Sequence, residues 1–296
     1  MQCKCYSTER GVMNEITEKI KLAPGIHYFE VNNPDIAKRA QAGQFVIVRI
    51  SEEGERIPLT IADFDRDKGI ITLVVMSVGK TTLQMETINK NDRILDLVGP
   101  LGLPTHIENF GKVACIGGGV GIAPIYPITK ALREAGNYII GILGARTKEL
   151  LIFEDRMKAI CDELIITTDD GSYGRKGFVT EALKDYVDAC GKVDKAFAIG
   201  PVPMMKNVCK LTKECSISTI VSLNAIMVDG TGMCGSCRVT VDGKTKFSCV
   251  EGPDFDGHLV DFDELASRQC FYRDEEFEAL NIYNKKIGGG CRCQNA

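Results

Sequence analysis

Three cysteines and one aspartate in the last third of the chain have the spacing of a metal site. Asp229, Cys234, Cys237 and Cys249 all fall within 21 residues. A plant-type [2Fe–2S] loop uses four cysteines, of which the first three follow the spacing C-x4-C-x2-C. Counting back from Cys234, the first of these positions holds Asp229, whose carboxylate can also bind iron. The spacing therefore predicts a [2Fe–2S] site with these four side chains as ligands.

The residues between the ligands are suited to such a loop. Gly230, Gly232 and Gly235 allow unusual backbone dihedrals and let backbone amides approach inorganic sulfur. The segment 238–247 alternates apolar and polar residues on both sides of Asp242-Gly243, which is a strong signal for a two-residue hairpin turn. This hairpin would return the chain to Cys249.

Two other interpretations of the cysteines compete with the cluster. Three thiols and a carboxylate could complete a zinc tetrahedron, although structural zinc sites usually combine two CxxC pairs or a CxxC pair with two histidines, and the chain has only three histidines. Structural free thiols are the remaining alternative. A disulfide is not expected, because no secretory signal is recognisable at the start of the sequence.

Composition limits the class of protein. The 296 residues are 44% hydrophobic and 26% charged, with a net charge of −4, which gives no electrostatic footprint for nucleic acid. No apolar run approaches the roughly 20 residues of a membrane span. The 13 cysteines predict a reducing compartment, the cytoplasm. The length is sufficient for two compact domains and a small appended segment.

Residues 12–107 read as a small antiparallel β-barrel. Short β-rich runs separated by turns are typical of such a fold, and they cover residues 12–22, 26–31, 43–50, 69–76 and 92–97. Two pieces of this barrel carry chemistry. Arg56-Ile-Pro-Leu-Thr60 leads into a strand, and Gly79-Lys-Thr-Thr82 opens a short helix whose amides and hydroxyls suit a pyrophosphate. Each could instead be an ordinary turn on the barrel rim.

Residues 108–222 alternate strands with helices, which predicts a parallel sheet covered on both faces. Strands are expected at 113–116, 138–143, 164–168 and 196–199. Helices are expected at 125–135, in a segment that runs through Phe153 to Asp162, and at 179–186. The glycine loop 117–124 follows the first strand. It would let a dinucleotide pyrophosphate reach a helix N-terminus, although Ile122 stands at the last glycine position of G-x-G-x-x-G. A tight strand-to-helix turn without a ligand is the alternative.

The cluster segment is expected to span 223–262. A C-terminal helix and tail follow at 263–296, with a solvated acidic helix at 274–284, and residues 1–11 form an N-terminal tail. Cys3, Cys5, Cys291 and Cys293 lie in the two tails, and we expect reactive or incidental thiols there rather than a second metal site.

Taken together, these motifs resemble the ferredoxin-NADP reductase superfamily. The motifs that carry the resemblance are Arg56-x-Pro-Leu-Thr60, Gly79-x-x-Thr82, Gly99-Pro-Leu-Gly102, Gly119-Val-Gly-Ile-Ala-Pro124, Gly200-Pro201 with Met204, and the late cysteine cluster. The domain order resembles the electron-transfer subunit of class B dihydroorotate dehydrogenase. Asp229 departs from that subunit and is similar instead to the small subunit of NADH-dependent reduced ferredoxin:NADP oxidoreductase, also known as a sulfide dehydrogenase subunit. The resemblance covers about residues 12–283.

The resemblance implies two further cofactors and their binding residues. FAD would contact the barrel through Arg56, Pro58, Leu59, Thr60, Val74, Val75, Met76, Gly79, Thr81 and Thr82. The nicotinamide dinucleotide would contact Gly118, Gly119, Gly121, Ile122, Ala123, Pro124, Arg146, Asp170, Gly200, Pro201 and Met204. NADP-dependent members often place Ser or Thr before the arginine that binds the 2′-phosphate. Here the dipeptide is Ala145-Arg146, so NAD(H) is expected in preference to NADP(H).

The implied function is electron transfer. A flavin can take a hydride from NADH and pass on single electrons, which a [2Fe–2S] cluster can accept, so no side chain is expected to act as a catalytic acid or base. The expected partner is a larger FAD and [4Fe–4S] subunit, with ferredoxin reached indirectly, as in electron-bifurcating transhydrogenase. The alternatives are an electron-transfer subunit of a dihydroorotate dehydrogenase, sulfur or polysulfide reductase, or hydrogenase complex, and a non-catalytic nucleotide or redox sensor.

Overall fold

A computed structural model describes residues 12–288, and it confirms the predicted combination of an antiparallel barrel, an α/β domain and a small C-terminal segment. The barrel has six strands in the order β1-β2-β5-β4-β3-β6. Its elements are β1 (Glu15–Ala23), β2 (Ile26–Asn32), α1 (Pro34–Arg39), β3 (Phe45–Arg49), β4 (Ile57–Asp65), β5 (Ile70–Met76), α2 (Lys80–Thr87) and β6 (Asp96–Leu101).

The barrel closes through the segment that precedes β6. The Ile16 amide donates to the Asp92 carbonyl over 2.8 Å, and the Ile94 amide donates to the Asn14 carbonyl over 3.0 Å. The strand predicted at 92–97 therefore begins later, at Asp96, because residues 91–94 pair with the start of β1 instead. The barrel core is a cluster of mostly aliphatic side chains that also includes Phe29 and Met85, both fully buried.

The α/β domain contains a mainly parallel sheet of seven strands in the order β10-β9-β8-β7-β11-β12-β15. Its elements are β7 (Lys112–Gly118), α3 (Ile122–Glu134), β8 (Tyr138–Ala145), α4 (Glu154–Lys158), β9 (Glu163–Thr168), β10 (Arg175–Lys176), α5 (Val179–Cys190), β11 (Lys195–Ile199), α6 (Val202–Glu214) and β12 (Ser218–Ser222). Strand β15 (Asp254–Asp256) comes from the C-terminal segment and pairs antiparallel with β12. It links that segment directly to the domain.

The first helix of this domain begins three residues earlier than the sequence pattern predicts. The glycine loop is a single 3₁₀ turn, Gly119–Gly121, and α3 starts at Ile122. Ala123 and Pro124 therefore lie in the first turn of a helix instead of a loop. Proline is favourable there, because the first amides of a helix have no partner within the helix.

The second helix of the domain is shorter than predicted. A 3₁₀ turn covers Lys148–Leu150, and only Glu154–Lys158 are α-helical. Phe153, just before α4, has a left-handed backbone with φ of 59°, which a helix interior does not allow. Its ring packs against those of Tyr126 and Tyr28, so tertiary contacts hold the residue in this conformation.

The C-terminal segment contains the predicted hairpin with the predicted bounds, β13 (Arg238–Val241) and β14 (Lys244–Phe247). Asp242 and Gly243 have φ of 52° and 67°, as a two-residue hairpin turn with positive dihedrals requires. The elements α7 (Ser248–Glu251), α8 (Phe262–Gln269) and α9 (Arg273–Gly288) complete the described chain. Asp261 caps α8 by accepting from the amides of Asp263 and Glu264.

Apolar residues cover both faces of the α/β sheet, and both clusters continue into the barrel. Phe45 and Ile47 of β3 pack in the same cluster as Cys237 and Cys249 of the C-terminal segment. The three parts of the chain therefore share a core. None of the helices within residues 12–288 is long and apolar enough to cross a membrane.

Candidate functional site

A cleft of about 1020 Å³ lies where the barrel, the α/β domain and the C-terminal segment meet. Its walls are mostly apolar, and its polar groups are backbone amides and a few hydroxyl, amide and charged side chains. Apolar clefts with few polar groups at the junction of domains are the usual sites of cofactors. Of the predicted site residues, those that line this cleft are Pro58, Leu59, Thr60, Val74, Met76, Gly118, Gly119, Gly121, Ala123, Pro124, Arg146, Gly200, Pro201 and Met204.

The barrel wall of the cleft is formed by β4 and β5. Pro58, Leu59 and Thr60 lie within β4 itself, where the sequence pattern placed them just before a strand. Val74 and Met76 alternate on β5 with Val75, whose side chain is buried in the barrel core. Because successive side chains of a strand point to opposite faces, Val75 can meet a ligand in this cleft only through its backbone.

A second group of predicted residues lies at the start of α2, outside the cleft lining. The Thr81 hydroxyl donates to the Glu55 carboxylate over 2.5 Å, and Lys80 Nζ lies 3.5 Å from the same carboxylate. This contact holds the segment that carries the exposed Arg56 beside the first turn of α2. The Thr82 hydroxyl accepts from the Gly79 amide over 2.9 Å. Arg56 follows Glu55 directly, so the contact between Glu55 and Thr81 brings its backbone close to the first turn of α2, where the amides of a helix start suit a pyrophosphate.

The opposite wall of the cleft is built from the carboxyl ends of β7 and β11. A Cβ at Gly121 would lie 2.4 Å from the Ile199 carbonyl oxygen, and a Cβ at Gly118 would lie 2.2 Å from Met204 Sδ. Glycine therefore permits the close approach of the two strand ends and leaves their backbone facing the cleft. Ile122 is fully buried under this turn, so it positions the turn and does not face the cleft.

Of the charged residues that follow the next two strands, some line the cleft and one does not. Arg146, after β8, lines the cleft. Asp170, after β9, turns away from it, because its carboxylate accepts from both the amide and the hydroxyl of Ser172, over 2.9 and 2.7 Å. These two bonds hold the pKa of Asp170 below its usual range. The adjacent Asp169 lines the cleft instead.

Several cleft residues were not singled out by the sequence. They come from the start of α5, from α6, from the end of β12 and the segment after it, and from the end of α8, and they include Phe178, Thr180, Asn207, Ser222, Asn224, Met227 and Gln269. No motif marks them, because they reach the cleft only through the packing of separate elements. The strand-end position of Ser222 is the one available signal, since ligands lie beyond the carboxyl ends of parallel strands.

Three of the predicted cluster ligands lie in the loop before β13 and the fourth, Cys249, lies in α7 after the hairpin. Only two of the four are close together. Cys237 and Cys249 are buried with their Sγ atoms 3.2 Å apart. Burial, and then the neighbouring Cys237 thiol, raise the pKa of Cys249 to about 12. Within residues 12–288, no three histidine, cysteine or acidic side chains converge on one point. The geometry alone thus shows a thiol pair between the loop and α7, with Asp229 and Cys234 in the same loop as Cys237.

Asp229 and Cys234 are tied to each other by the backbone of the loop. The Asp229 carboxylate accepts from the amides of Thr231 and Cys234 over 2.8 and 2.9 Å. The bond from Thr231, together with that from Cys234, holds the pKa of Asp229 below its usual range, although burial opposes this. Burial acts to raise the pKa of Cys234, but hydrogen bonds from Ser236 outweigh it, so the pKa of this exposed thiol is lowered. Both side chains therefore favour the anionic forms that bind metals.

The loop backbone also fits an iron–sulfur cluster. Gly230, Gly232 and Gly235 all have left-handed φ angles, between 69° and 86°. Such turns direct successive amides to one side, where they can donate to inorganic sulfur. The chemistry of the donor set, three thiols and a carboxylate on a loop rich in left-handed glycines, fits iron better than the nitrogen-containing sets common for zinc.

Fold and site together define an oxidoreductase with a ferredoxin-reductase-like fold and an added iron–sulfur domain. Residues 115–210 match the family model of the oxidoreductase NAD-binding domain, and residues 224–261 match that of the iron-sulfur cluster binding domain of dihydroorotate dehydrogenase B. The chain is 52% identical over 276 residues to a dihydroorotate dehydrogenase B electron transfer subunit homolog from Thermotoga maritima, with 93% of this chain and 97% of the relative covered. The chain belongs to this family of electron transfer subunits.

Solved structures support the same assignment. The chain matches a chain of the NADH-dependent reduced ferredoxin-NADP oxidoreductase, studied for flavin-based electron bifurcation, at 50% identity and a TM-score of 0.88, over 93% of this chain and 99% of that one. Phthalate dioxygenase reductase, at 17% identity and a TM-score of 0.53 over 77% of this chain and 85% of that one, shares the fold. These findings confirm the resemblance drawn from the motifs and the oxidoreductase class. Cys3, Cys5, Cys291 and Cys293 lie outside the described residues.

Proposed function

We propose that the chain exchanges a hydride between NAD(H) and bound FAD, and passes single electrons through a [2Fe–2S] cluster to a larger FAD and [4Fe–4S] partner subunit. The cleft carries this proposal. Its lining includes β4 of the barrel, the glycine turn of the α/β domain, and Met227 and Pro253 of the C-terminal segment. One cleft thus borders the predicted sites of the flavin ring and the nicotinamide, and it reaches the segment that carries the predicted cluster ligands.

The residues of the chain have binding roles in this scheme. Arg56 and the first turn of α2 would hold the flavin pyrophosphate, while Pro58, Leu59 and Val74 would form an apolar wall against the flavin ring. Gly118, Gly119 and Gly121 would present the start of α3 to the dinucleotide. When bound, the flavin would supply the chemistry that side chains lack, by taking a hydride and giving up electrons one at a time. The protein's task is to orient the two rings and to exclude water.

The preference for NAD(H) is a further part of the proposal. Asp169 lines the cleft near Arg146, and Ala145 offers no hydroxyl beside it. A carboxylate at this strand end would repel a 2′-phosphate and can accept from a ribose hydroxyl. We therefore expect NADH to reduce the protein faster than NADPH does.

A dihydroorotate dehydrogenase complex is the second candidate. The match of residues 224–261 to the iron-sulfur domain of that enzyme favours it. Asp229 in place of the first cysteine, and the 50% identical chain from the ferredoxin-NADP oxidoreductase, favour the transhydrogenase assignment and with it electron bifurcation. The co-purifying subunit separates the two, because only the dihydroorotate complex would oxidise dihydroorotate.

The test is an anaerobic visible and EPR titration of the purified protein with NADH, with flavin, iron and sulfide assayed on the same sample. Bleaching of a flavin band together with a rhombic signal from a reduced [2Fe–2S] cluster would support the relay. Zinc in place of iron would make the loop a structural site. A flavin that does not bleach with NADH would favour the nucleotide or redox sensor.

A further inference from the structure

Asp254 carries a buried carboxyl group. The electron transfer proposed above assigns no role to this group. It lies at the start of β15, and its Oδ1 atom is screened from solvent without a hydrogen-bond partner among residues 12–288. It forms no ion pair within that range either. Burying a charged carboxylate without a partner costs free energy, so such a group is usually neutral or is kept for a functional reason. Asp254 is thus a titratable group that needs an explanation.

The neighbours of Asp254 connect it to two different cavities. In the register of the sheet it is paired with Ser222, the last residue of β12, and Ser222 lines the cleft. On its other side, the Thr105 hydroxyl donates to Asp254 Oδ2 over 2.6 Å. Thr105 lines a separate polar groove of about 820 Å³ between the barrel and α3. Ser222, Asp254 and Thr105 therefore form a row of protonatable side chains from the cleft to the groove.

The backbone fixes Thr105 in this row. Its amide donates to the Ala42 carbonyl over 2.9 Å, and a Cβ at Gly43 would lie 2.1 Å from its hydroxyl oxygen. Glycine at position 43, where φ is +85°, thus leaves the space that the hydroxyl occupies. The row is held in place from the barrel side as well as from the sheet.

The electrostatic surroundings suit a group that takes up and releases a proton. Burial raises the pKa of Asp254 to about 6, and the hydroxyls of Thr105 and Ser222 oppose this only in part. The groups that face Asp254 from β12 and from the segment before β7 are these two hydroxyls, and no charged side chain of the described chain contributes to its pKa. Charged side chains occur further on, in the groove, where Glu30, Asp63 and Lys130 face solvent.

The proposed function requires such a group. Hydride transfer from NADH, followed by removal of the two electrons one at a time, sums to NADH → NAD⁺ + H⁺ + 2 e⁻. The two electrons leave for the one-electron acceptor through the cluster, and one proton stays behind in the mostly apolar cleft. We propose that Asp254 accepts this proton by way of Ser222 and passes it through Thr105 to the polar groove. The inference rests on the proposed function and adds a proton exit, separate from the electron exit, to it.

The test follows protons and electrons in the same holoprotein. The protein is mixed anaerobically with one equivalent of NADH and with excess ferricyanide as the one-electron acceptor. Reduction of ferricyanide is recorded beside the colour of a pH indicator. For Asp254→Asn, we expect the ratio of the proton-release rate to the ferricyanide-reduction rate to fall by about tenfold or more. Thr105→Val, which removes only the groove side of the row, should lower the same ratio and serves if Asp254→Asn does not fold.

The matched control is Asp256→Asn, which makes the same change two residues along β15 at an exposed position. It should keep the wild-type ratio. Variants of Asp254 and Thr105 with the ratio of this control would overturn the proton exit and leave the electron relay intact. A wild-type protein that binds no flavin, or whose flavin does not respond to NADH, would overturn the proposed function and the proton exit with it.

Discussion

Asp229 is the residue that most distinguishes this cluster loop from a four-cysteine loop. Its two carboxylate oxygens accept from the Thr231 and Cys234 amides, so it shapes the loop even before any metal is considered. Oxygen is a harder and less electron-donating ligand than thiolate sulfur, and it can be protonated. As a ligand, Asp229 would raise the cluster potential and could couple it to pH.

Replacing this ligand tests the assignment. Asp229→Cys should keep iron and sulfide bound, change the EPR and visible spectra, and lower the cluster midpoint potential by on the order of 100 mV, because thiolate stabilises the oxidised cluster. The potential is measured by EPR-monitored redox titration. Asp263→Cys, an exposed position on α8, is the control and should leave both spectra as they are. A spectrum of Asp229→Cys identical to that of the wild type would remove Asp229 from the ligand set.

The buried carboxyl of Asp254 also leads to a prediction about the stability of the folded protein. Its pKa of about 6 in the folded protein lies above the ordinary value of 3.8 for an aspartate, so the folded state holds this proton more tightly than the unfolded state does. Stability from this group is therefore complete at low pH and is lost as the pH rises through 6. Relative to Asp254→Asn, the wild-type free energy of unfolding should fall by roughly 1–2 kcal/mol between pH 5 and pH 8.

Urea denaturation of both proteins across this range measures the difference, and Asp256→Asn again supplies the control. A gap between wild type and Asp254→Asn that stays constant from pH 5 to pH 8 would mean that the Asp254 carboxyl does not change its protonation there. This measurement needs no turnover, so it is independent of the electron relay.

At the scale of the elements, the turn between β7 and α3 depends on the close approach of its backbone to the end of β11. It passes beneath the end of β11, where a Cβ at Gly121 would lie 2.4 Å from a backbone carbonyl oxygen. A backbone atom cannot move aside as a flexible side chain can. The two strand ends must therefore separate if any larger residue replaces this glycine.

Gly121→Ala should accordingly destabilise the protein by about 1–3 kcal/mol, the usual effect of overpacking, and weaken NADH binding by about tenfold or more. Thermal unfolding and fluorescence titration with NADH measure the two effects. Gly79→Ala is the control for stability, since a Cβ there meets no atom within 4 Å and φ is an ordinary −124°. Equal stability of the two variants would contradict the tight packing of the turn.

For the molecule as a whole, the question is where electrons leave. Met233 is 87% exposed beside the exposed Cys234. Val228, close to it in the chain, and Val250, whose side chain lies against Gly232, are also exposed. Large exposed apolar side chains that cluster on a surface mark contacts with other proteins. The proposed partner subunit would cover the cluster loop here, which shortens the path of the electron.

Met233→Lys should raise the dissociation constant for the partner subunit by about tenfold or more, because it places a charge in an apolar contact. NADH-driven bleaching of the isolated chain should not change. Affinity is measured by calorimetry with the co-purifying subunit. Ile20→Lys, an equally simple change at an exposed position on β1, is the control. If both variants bind the partner with wild-type affinity, the contact lies elsewhere.

Local patterns were sufficient to predict much of this protein. The alternation of strands and helices predicts the α/β domain, the Asp242-Gly243 turn predicts a hairpin with the bounds observed, and the spacing of Cys234 and Cys237 indicates the cluster loop. These signals lie within a few residues of each other, so their physical basis is local: backbone dihedrals, side-chain alternation and ligand spacing. The family relationship could also be inferred from the motifs alone.

Only the tertiary structure decided which residues share a site. It placed Val75 in the barrel core, turned Asp170 onto Ser172, and paired β15 with β12, so that Asp254 stands between Ser222 and Thr105. Thr105 and Asp254 are 149 positions apart in the sequence. The sequence by itself determined the elements and the kinds of chemistry, because these depend on neighbouring residues. The neighbours of a buried carboxyl depend on how distant segments pack, and that packing alone joined Asp254 to the cleft.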